Sequence, residues 1–296
     1  MSGCQLTPMQ TPENNISDHV IIPTVVISRT EIILPTLVRT ATKTPSPTVI
    51  LPSPTAAEIP CLETTGTIHE EKFYSEILAE SIKANVYLPP CYNSKREVGY
   101  PFLIMLHGQN GVQDQWIKLG LTDLADQWIT AKKIEPLAII MPFERLYLQD
   151  SYTSRYDQAL VDDLVPQLIR QYNFRLERQY RALGGLSRGG NWAVRVGFAY
   201  PDAFEKIGGH SFTTFSGDMN RVKEWLQKDT NSLPQFWFDI GEMDPYRKFS
   251  EPFVLYLQQN QVPLEYSVNP GGHTADYWTS HIGEYLTWYT QSWQEK

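Results

Sequence analysis

The chain has 296 residues, 42% of them hydrophobic and 20% charged. This is an ordinary globular balance, which excludes a wholly disordered chain, a collagen and a coiled coil. The net charge of −8, from 25 Lys and Arg against 33 Asp and Glu, together with the lack of any Lys/Arg run, argues against nucleic acid as a partner.

Residues 1–60 differ from the rest. They contain no Phe, Trp or Tyr and hold nine of the 21 prolines and ten threonines, in words such as TKTPSPTVILPSPT. Such a segment buries too little apolar surface to offset the entropy of ordering it, so it reads as a disordered, Thr/Pro-rich linker. The apolar words VIIPTVVIS and EIILPTLV leave edge strands open as the alternative. They are not a membrane span, because Pro23, Arg29, Glu31 and Pro35 interrupt a stretch that would need about 20 mainly apolar residues. Ser2-Gly3-Cys4 looks like the end of a bacterial lipoprotein signal without its hydrophobic part, which makes Cys4 a candidate membrane tether in a precursor. The alternative is a chance Ser-Gly-Cys. The folded domain is expected over 61–296.

Two strands are expected at 66–75 and 81–88, joined as a hairpin. Cys61 and Cys91 then fall nearly opposite one another at its open end, where a disulfide is geometrically natural. A disulfide suits an exported, extracellular or cell-surface protein, although the cytoplasm stays open. No CxxC or His pair stands at metal spacing.

From residue 100, short apolar runs at 102–107, 137–141, 180–186, 204–208, 235–240 and 264–268 read as strands buried on both faces of a parallel sheet. Between them lie helical patterns: Leu160, Leu164, Leu168 and their neighbours share one face, and Trp278, Ile282, Tyr285, Tyr289 and Trp293 share another. The latter aromatics read as core. The fold class is therefore α/β: a mostly parallel sheet, an antiparallel N-terminal hairpin and helices on both faces.

The strand at 102–107 runs into His107-Gly108-Gln109-Asn110-Gly111. A loop after an early strand can supply a backbone donor to an oxyanion, and here that donor is the Gln109 N–H. His107 reads as a residue that hydrogen-bonds the loop. The segment FERLYLQDSYTSRY at 143–156 is expected to line a substrate site, with Trp116 and Tyr152 as contacts. The alternative is ordinary loop aromatics.

The chemical signal is GGLSRGG at 184–190. It contains Gly185-Leu186-Ser187-Arg188-Gly189, a G-x-S-x-G match between an apolar strand and a helix-forming stretch. That is the context of a nucleophile elbow, in which Ser187 is held out of the sheet edge and the Arg188 N–H faces the oxyanion. The alternative is a Gly-rich packing turn. A serine nucleophile needs a base. Of six histidines, His19, His69, His107 and His210 are less well placed. His273, in the Gly-rich loop NPGGHTADYW, is favoured, with His281 in reserve. Asp244, just past a strand in DIGEMD, is the orienting acid. Glu242 competes with it, and Asp239 reads as structural. The order Ser, Asp, His is that of α/β-hydrolases.

Residues 61–296 resemble the putative-esterase group of α/β-hydrolases, which includes esterase D, enterochelin esterases, carbohydrate esterase family 1 and mycolyltransferases. The matching words are VYLPPCY, PFLIMLHGQNG, DDLVPQLIRQYNF, RALGGLSRGG, FEKIGGHS, DIGEMD and NPGGHTADYW. The resemblance implies the same triad, Ser187, Asp244 and His273, in an esterase that acts on a small-molecule or carbohydrate-linked ester. Neither metal nor organic cofactor is implied. Arg188 departs from the Met that many relatives carry after the serine. An acyltransferase of the mycolyltransferase type, or a non-catalytic binding module on this fold, are the alternatives.

Overall fold

The computed structural model describes residues 61–144, 150–227 and 232–293. The expected linker, the apolar words within it, Cys4 and part of the 143–156 segment lie outside these residues.

Eight strands form one sheet in the order β1-β2-β4-β3-β5-β6-β7-β8. They are β1 Thr67–Ser75, β2 Glu80–Leu88, β3 Phe102–Leu106, β4 Ala138–Pro142, β5 Arg181–Leu186, β6 Lys206–His210, β7 Gln235–Gly241 and β8 Leu264–Asn269. β1 and β2 pair antiparallel, with Thr67 opposite Leu88, and β2 pairs antiparallel with β4. All other neighbours are parallel. The helices are α1 Gln115–Lys118, α2 Leu121–Thr130, α3 Tyr156–Gln158, α4 Val165–Gln171, α5 Arg188–Ala199, α6 Asp218–Leu226, α7 Arg247–Gln259 and α8 Ala275–Thr290.

The central strands are apolar on both faces because both faces are covered. Phe102, Ile104 and Leu106 of β3 point into one core with α5, whereas Leu103 and Met105 point into the other with α2 and α8. This follows from the two-residue period of a strand. The apolar face around Leu160–Tyr172 is not one regular helix. Residues Ala159–Leu164 form a wide π turn leading into α4, whose second residue is Pro166. Proline has no N–H to donate back along a regular helical ladder.

β6 begins and ends two residues later than the sequence pattern predicts. It runs through Gly208 and Gly209 to His210, pairing Gly208 with Gly184. The phenol of Tyr289 lies across Gly184 and Gly208, and a Cβ at either would collide with its hydroxyl. The strand there is bare because α8 packs directly on its backbone, which hides its length from a hydrophobicity pattern.

Cys61 and Cys91 form a disulfide, Cα atoms 5.8 Å apart, at the open end of the β1–β2 hairpin, as the sequence predicts. The Leu88 end of β2 lies by the start of β4. The bridge is therefore at the sheet edge opposite the one where the parallel strands end.

Candidate active site

At the C-terminal edge of the parallel strands, β5 turns sharply into α5 through Ser187. The turn demands φ 53° and ψ −120° at a residue that carries a Cβ. Such backbone costs energy and persists only when its surroundings hold it. Here the Ser187 N–H is donated to the His210 carbonyl at 2.8 Å, and α5 continues from Arg188. Gly189 permits the turn to press against β3, since a Cβ there would collide with the Leu106 and His107 carbonyl oxygens.

Asp244 follows β7 in a turn closed by its own N–H to the Gly241 carbonyl. Glu242 N–H is donated to Asn269 O and Met243 N–H to Gly271 O, so this turn is sewn to the loop after β8. The turn buries Asp244 and leaves Glu242 exposed. Tyr246 N–H is donated to Asp244 Oδ1 at 2.9 Å, which aims Oδ2 at the loop after β8.

That loop carries His273, immediately before Thr274, the N-cap of α8, whose hydroxyl accepts from Tyr277 N–H. His273 Nδ1 lies 2.8 Å from Asp244 Oδ2, and Nε2 lies 3.0 Å from Ser187 Oγ. The structure thus brings together all three side chains singled out from the sequence. The other described histidines are elsewhere. His69 is exposed beside Thr67, and His281 pairs with the Tyr277 carbonyl. His210 is fully buried against Asp239, which also accepts from the hydroxyls of Tyr277 and Tyr285. Asp239 is a core group, as its place inside a strand predicts.

Ser187 and His273 face a cavity of about 360 Å³ that is also lined by Gln109, Gln115, Tyr246 and Trp278. Gly108 N–H is donated to Gln115 Oε1 at 2.8 Å, which shapes the loop that carries Gln109. Arg188 is the first residue of α5, a position whose N–H has no acceptor within its own helix. Its guanidinium grips buried Glu144 with both Nε (2.8 Å) and Nη2 (2.7 Å).

Two expected substrate contacts are placed differently. Trp116 is a core residue, 1% exposed, with its indole N–H donated to the Leu106 carbonyl. α1 turns it beneath the loop, away from the cavity. Tyr152 is exposed, its ring under the Arg221 guanidinium, and is not among the cavity-lining residues. Tyr246 and Trp278 flank His273 instead, with ring centroids 4.7 and 5.1 Å from the imidazole. The Trp278 indole N–H is donated to Ser211 Oγ at 3.0 Å. The sequence placed Trp278 in the core stripe of its helix, and that reading is half right: the residue is 7% exposed and packs on both core and imidazole. Its place one turn after His273 was the available signal. Glu144 had a weaker one, two residues beyond a strand at the same sheet edge.

A family model described as putative esterase matches residues 75–289. An endo-1,4-beta-xylanase/feruloyl esterase of Xylanibacter ruminicola is 27% identical over an alignment of 149 positions, which covers 47% of this chain and only 20% of that protein. An acetyl esterase of Caldicellulosiruptor saccharolyticus is 21% identical over an alignment of 265 positions, which covers 75% of this chain and 97% of that one. A solved ferulic acid esterase superposes with a TM-score of 0.67 at 21% identity, covering 77% of this chain and 98% of its own. At that identity the likeness speaks to the fold, which is the α/β-hydrolase fold.

Proposed function

Because the chain belongs to the putative-esterase family, we propose that it is a serine esterase in which Ser187 is the nucleophile, His273 the base and Asp244 the orienting acid. The observation that carries this reading is the unbroken relay from Asp244 Oδ2 through the imidazole to Ser187 Oγ, with steps of 2.8 and 3.0 Å. A serine hydroxyl becomes nucleophilic only when a base takes its proton. Asp244 favours the tautomer that carries its proton on Nδ1, which leaves Nε2 free to accept from Ser187.

Oγ attacks the ester carbonyl, and the proton passes to Nε2. The N–H groups of Gln109 and Arg188 receive the oxyanion, aided by the positive end of α5. The imidazolium then protonates the departing alkoxide. Water, deprotonated by His273, hydrolyses the acyl-enzyme and restores Ser187. Every step uses groups of the chain itself.

The substrate class is a small-molecule or carbohydrate-linked ester. Relatives named for feruloyl and acetyl groups support it, and a 360 Å³ cavity is within the ordinary range for small ligands. The Cys61–Cys91 bridge supports an exported protein.

The test is hydrolysis of p-nitrophenyl acetate by the intact chain and by Ser187→Ala, together with mass-spectrometric mapping of a fluorophosphonate adduct. We expect turnover in the first, none in a folded second, and one adduct at Ser187. Turnover that survives the substitution, or an adduct on another serine, would overturn the reading.

A further inference from the structure

Glu144 stands two residues beyond β4 at the edge that carries Ser187, and it is 3% exposed. A buried carboxylate must be partnered, and Glu144 has partners on two sides. Its side chain receives the fork of Arg188, whose guanidinium also lies over the Phe215 ring at 5.1 Å. Its backbone N–H is donated to His107 Nε2 at 2.9 Å. An accepting Nε2 places the ring proton on Nδ1, which lies 2.7 Å from the Gly108 carbonyl oxygen and is donated to it. Burial lowers the pKa of His107, which keeps the ring in this neutral form.

The Gly108 carbonyl belongs to the peptide whose N–H is that of Gln109. It is gripped twice, by His107 and by Gly111 N–H at 2.9 Å. The peptide is trans, so the Gln109 N–H points opposite to the carbonyl. Holding the oxygen therefore aims the donor. At the other end of the chain of bonds, the fork on Arg188 holds the residue whose N–H is the second donor.

We propose that Glu144 is a positioning residue that aligns the two oxyanion donors with one another, through Arg188 on one side and His107 on the other. This rests on the esterase reading above. Buried ion pairs are often no more stabilising than apolar residues of the same size, so stability alone is a poor reason for one beside a nucleophile. An oxyanion site, by contrast, works only if its donors are set before the charge develops.

The test compares Glu144→Gln, His107→Asn and His107→Leu with the unsubstituted chain. Rates are normalised to Ser187 sites titrated with a fluorophosphonate, so only folded, competent molecules count. Kinetics on p-nitrophenyl acetate are paired with inhibition by an aryl boronic acid, which forms a tetrahedral adduct. Glu144→Gln should lower kcat about 10- to 100-fold with KM within about threefold, a fraction of what losing a donor costs. The boronate Ki should rise by the factor by which kcat/KM falls, the mark of an interaction made in the transition state. His107→Asn keeps a side-chain N–H for the Gly108 carbonyl and should stay within about tenfold, whereas His107→Leu should lose about 10²–10³. Unchanged kcat in titrated Glu144→Gln, a loss confined to KM, or equal losses for Asn and Leu would overturn the inference. If the unsubstituted chain has no turnover, the functional reading fails, and this inference fails with it.

Discussion

Asp244→Asn tests the orienting role most directly, because the structure dictates how the amide must sit. The carboxylate accepts twice: from Tyr246 N–H at Oδ1 and, at Oδ2, from His273 Nδ1. Asparagine keeps one oxygen. If that oxygen stays at Tyr246, the NH₂ group faces Nδ1, and the ring proton must move to Nε2. There it points at Ser187 and blocks deprotonation. The other flip sets two N–H donors face to face at a side chain with no exposure, at a cost of about 1–3 kcal/mol, so the first prevails. The expected loss in kcat approaches the ~10⁴ seen for the equivalent change in a serine protease, or about 5 kcal/mol of transition-state stabilisation. KM should move little, since Asp244 sits behind the imidazole. Glu242→Gln, two residues nearer β7 but exposed, should stay within about threefold. The assay is initial-rate kinetics on p-nitrophenyl acetate beside a thermal melt of each variant. An Asp244→Asn enzyme that keeps more than a tenth of its kcat, or a deeper loss in Glu242→Gln, would refute the reasoning.

Reduction of the Cys61–Cys91 bridge, which spans a separation of 30 residues, should cost about 3–4 kcal/mol. It should lower the melting temperature and leave kcat unchanged, because the bridge lies at the opposite sheet edge; equal melts with and without reductant would contradict this. Gly189→Ala drives a Cβ into two backbone carbonyls of the β3 end. It should cost at least about 1–3 kcal/mol along with activity, read as a shifted urea midpoint; an unshifted midpoint would count against the close approach. Lys206 is buried at the start of β6 with its ammonium on the Trp288 carbonyl, and burial lowers its pKa from 10.5 to about 8. Between those values the unfolded chain holds more protons, so this group makes stability rise with pH across that window. Buried Tyr285 and Tyr289, raised above 10 by burial, act with the opposite sign: their contribution is complete below pH 10 and is lost at higher pH. Urea unfolding from pH 7 to 11 should therefore show a climb and then a fall, and Lys206→Met should flatten only the climb; a climb unchanged in that variant would exclude Lys206 as its source.

Much of this protein could be read along the chain, because the signals are local. A strand covered on both faces must be apolar throughout, so FLIML announces β3. The elbow needs small residues around one serine within five positions. The hairpin's antiparallel register brings Cys61 near Cys91 once its turn is located. Which of Asp244 and Glu242 reaches His273 could not be read that way. It depends on which carboxylate a turn buries, and that turn is held by bonds to a loop some 30 residues later. Trp116 and Trp278 show the same limit: as isolated tryptophans they look alike, yet one helix turns its indole onto the Leu106 carbonyl, away from the cavity, and the other lays it against His273. Glu144, Arg188 and His107 lie far apart in sequence and meet only because β3, β4 and β5 are neighbours in the sheet. Sequence patterns report what each segment buries, whereas the direction in which a side chain leaves a sheet edge is set by what the neighbouring strands place beside it.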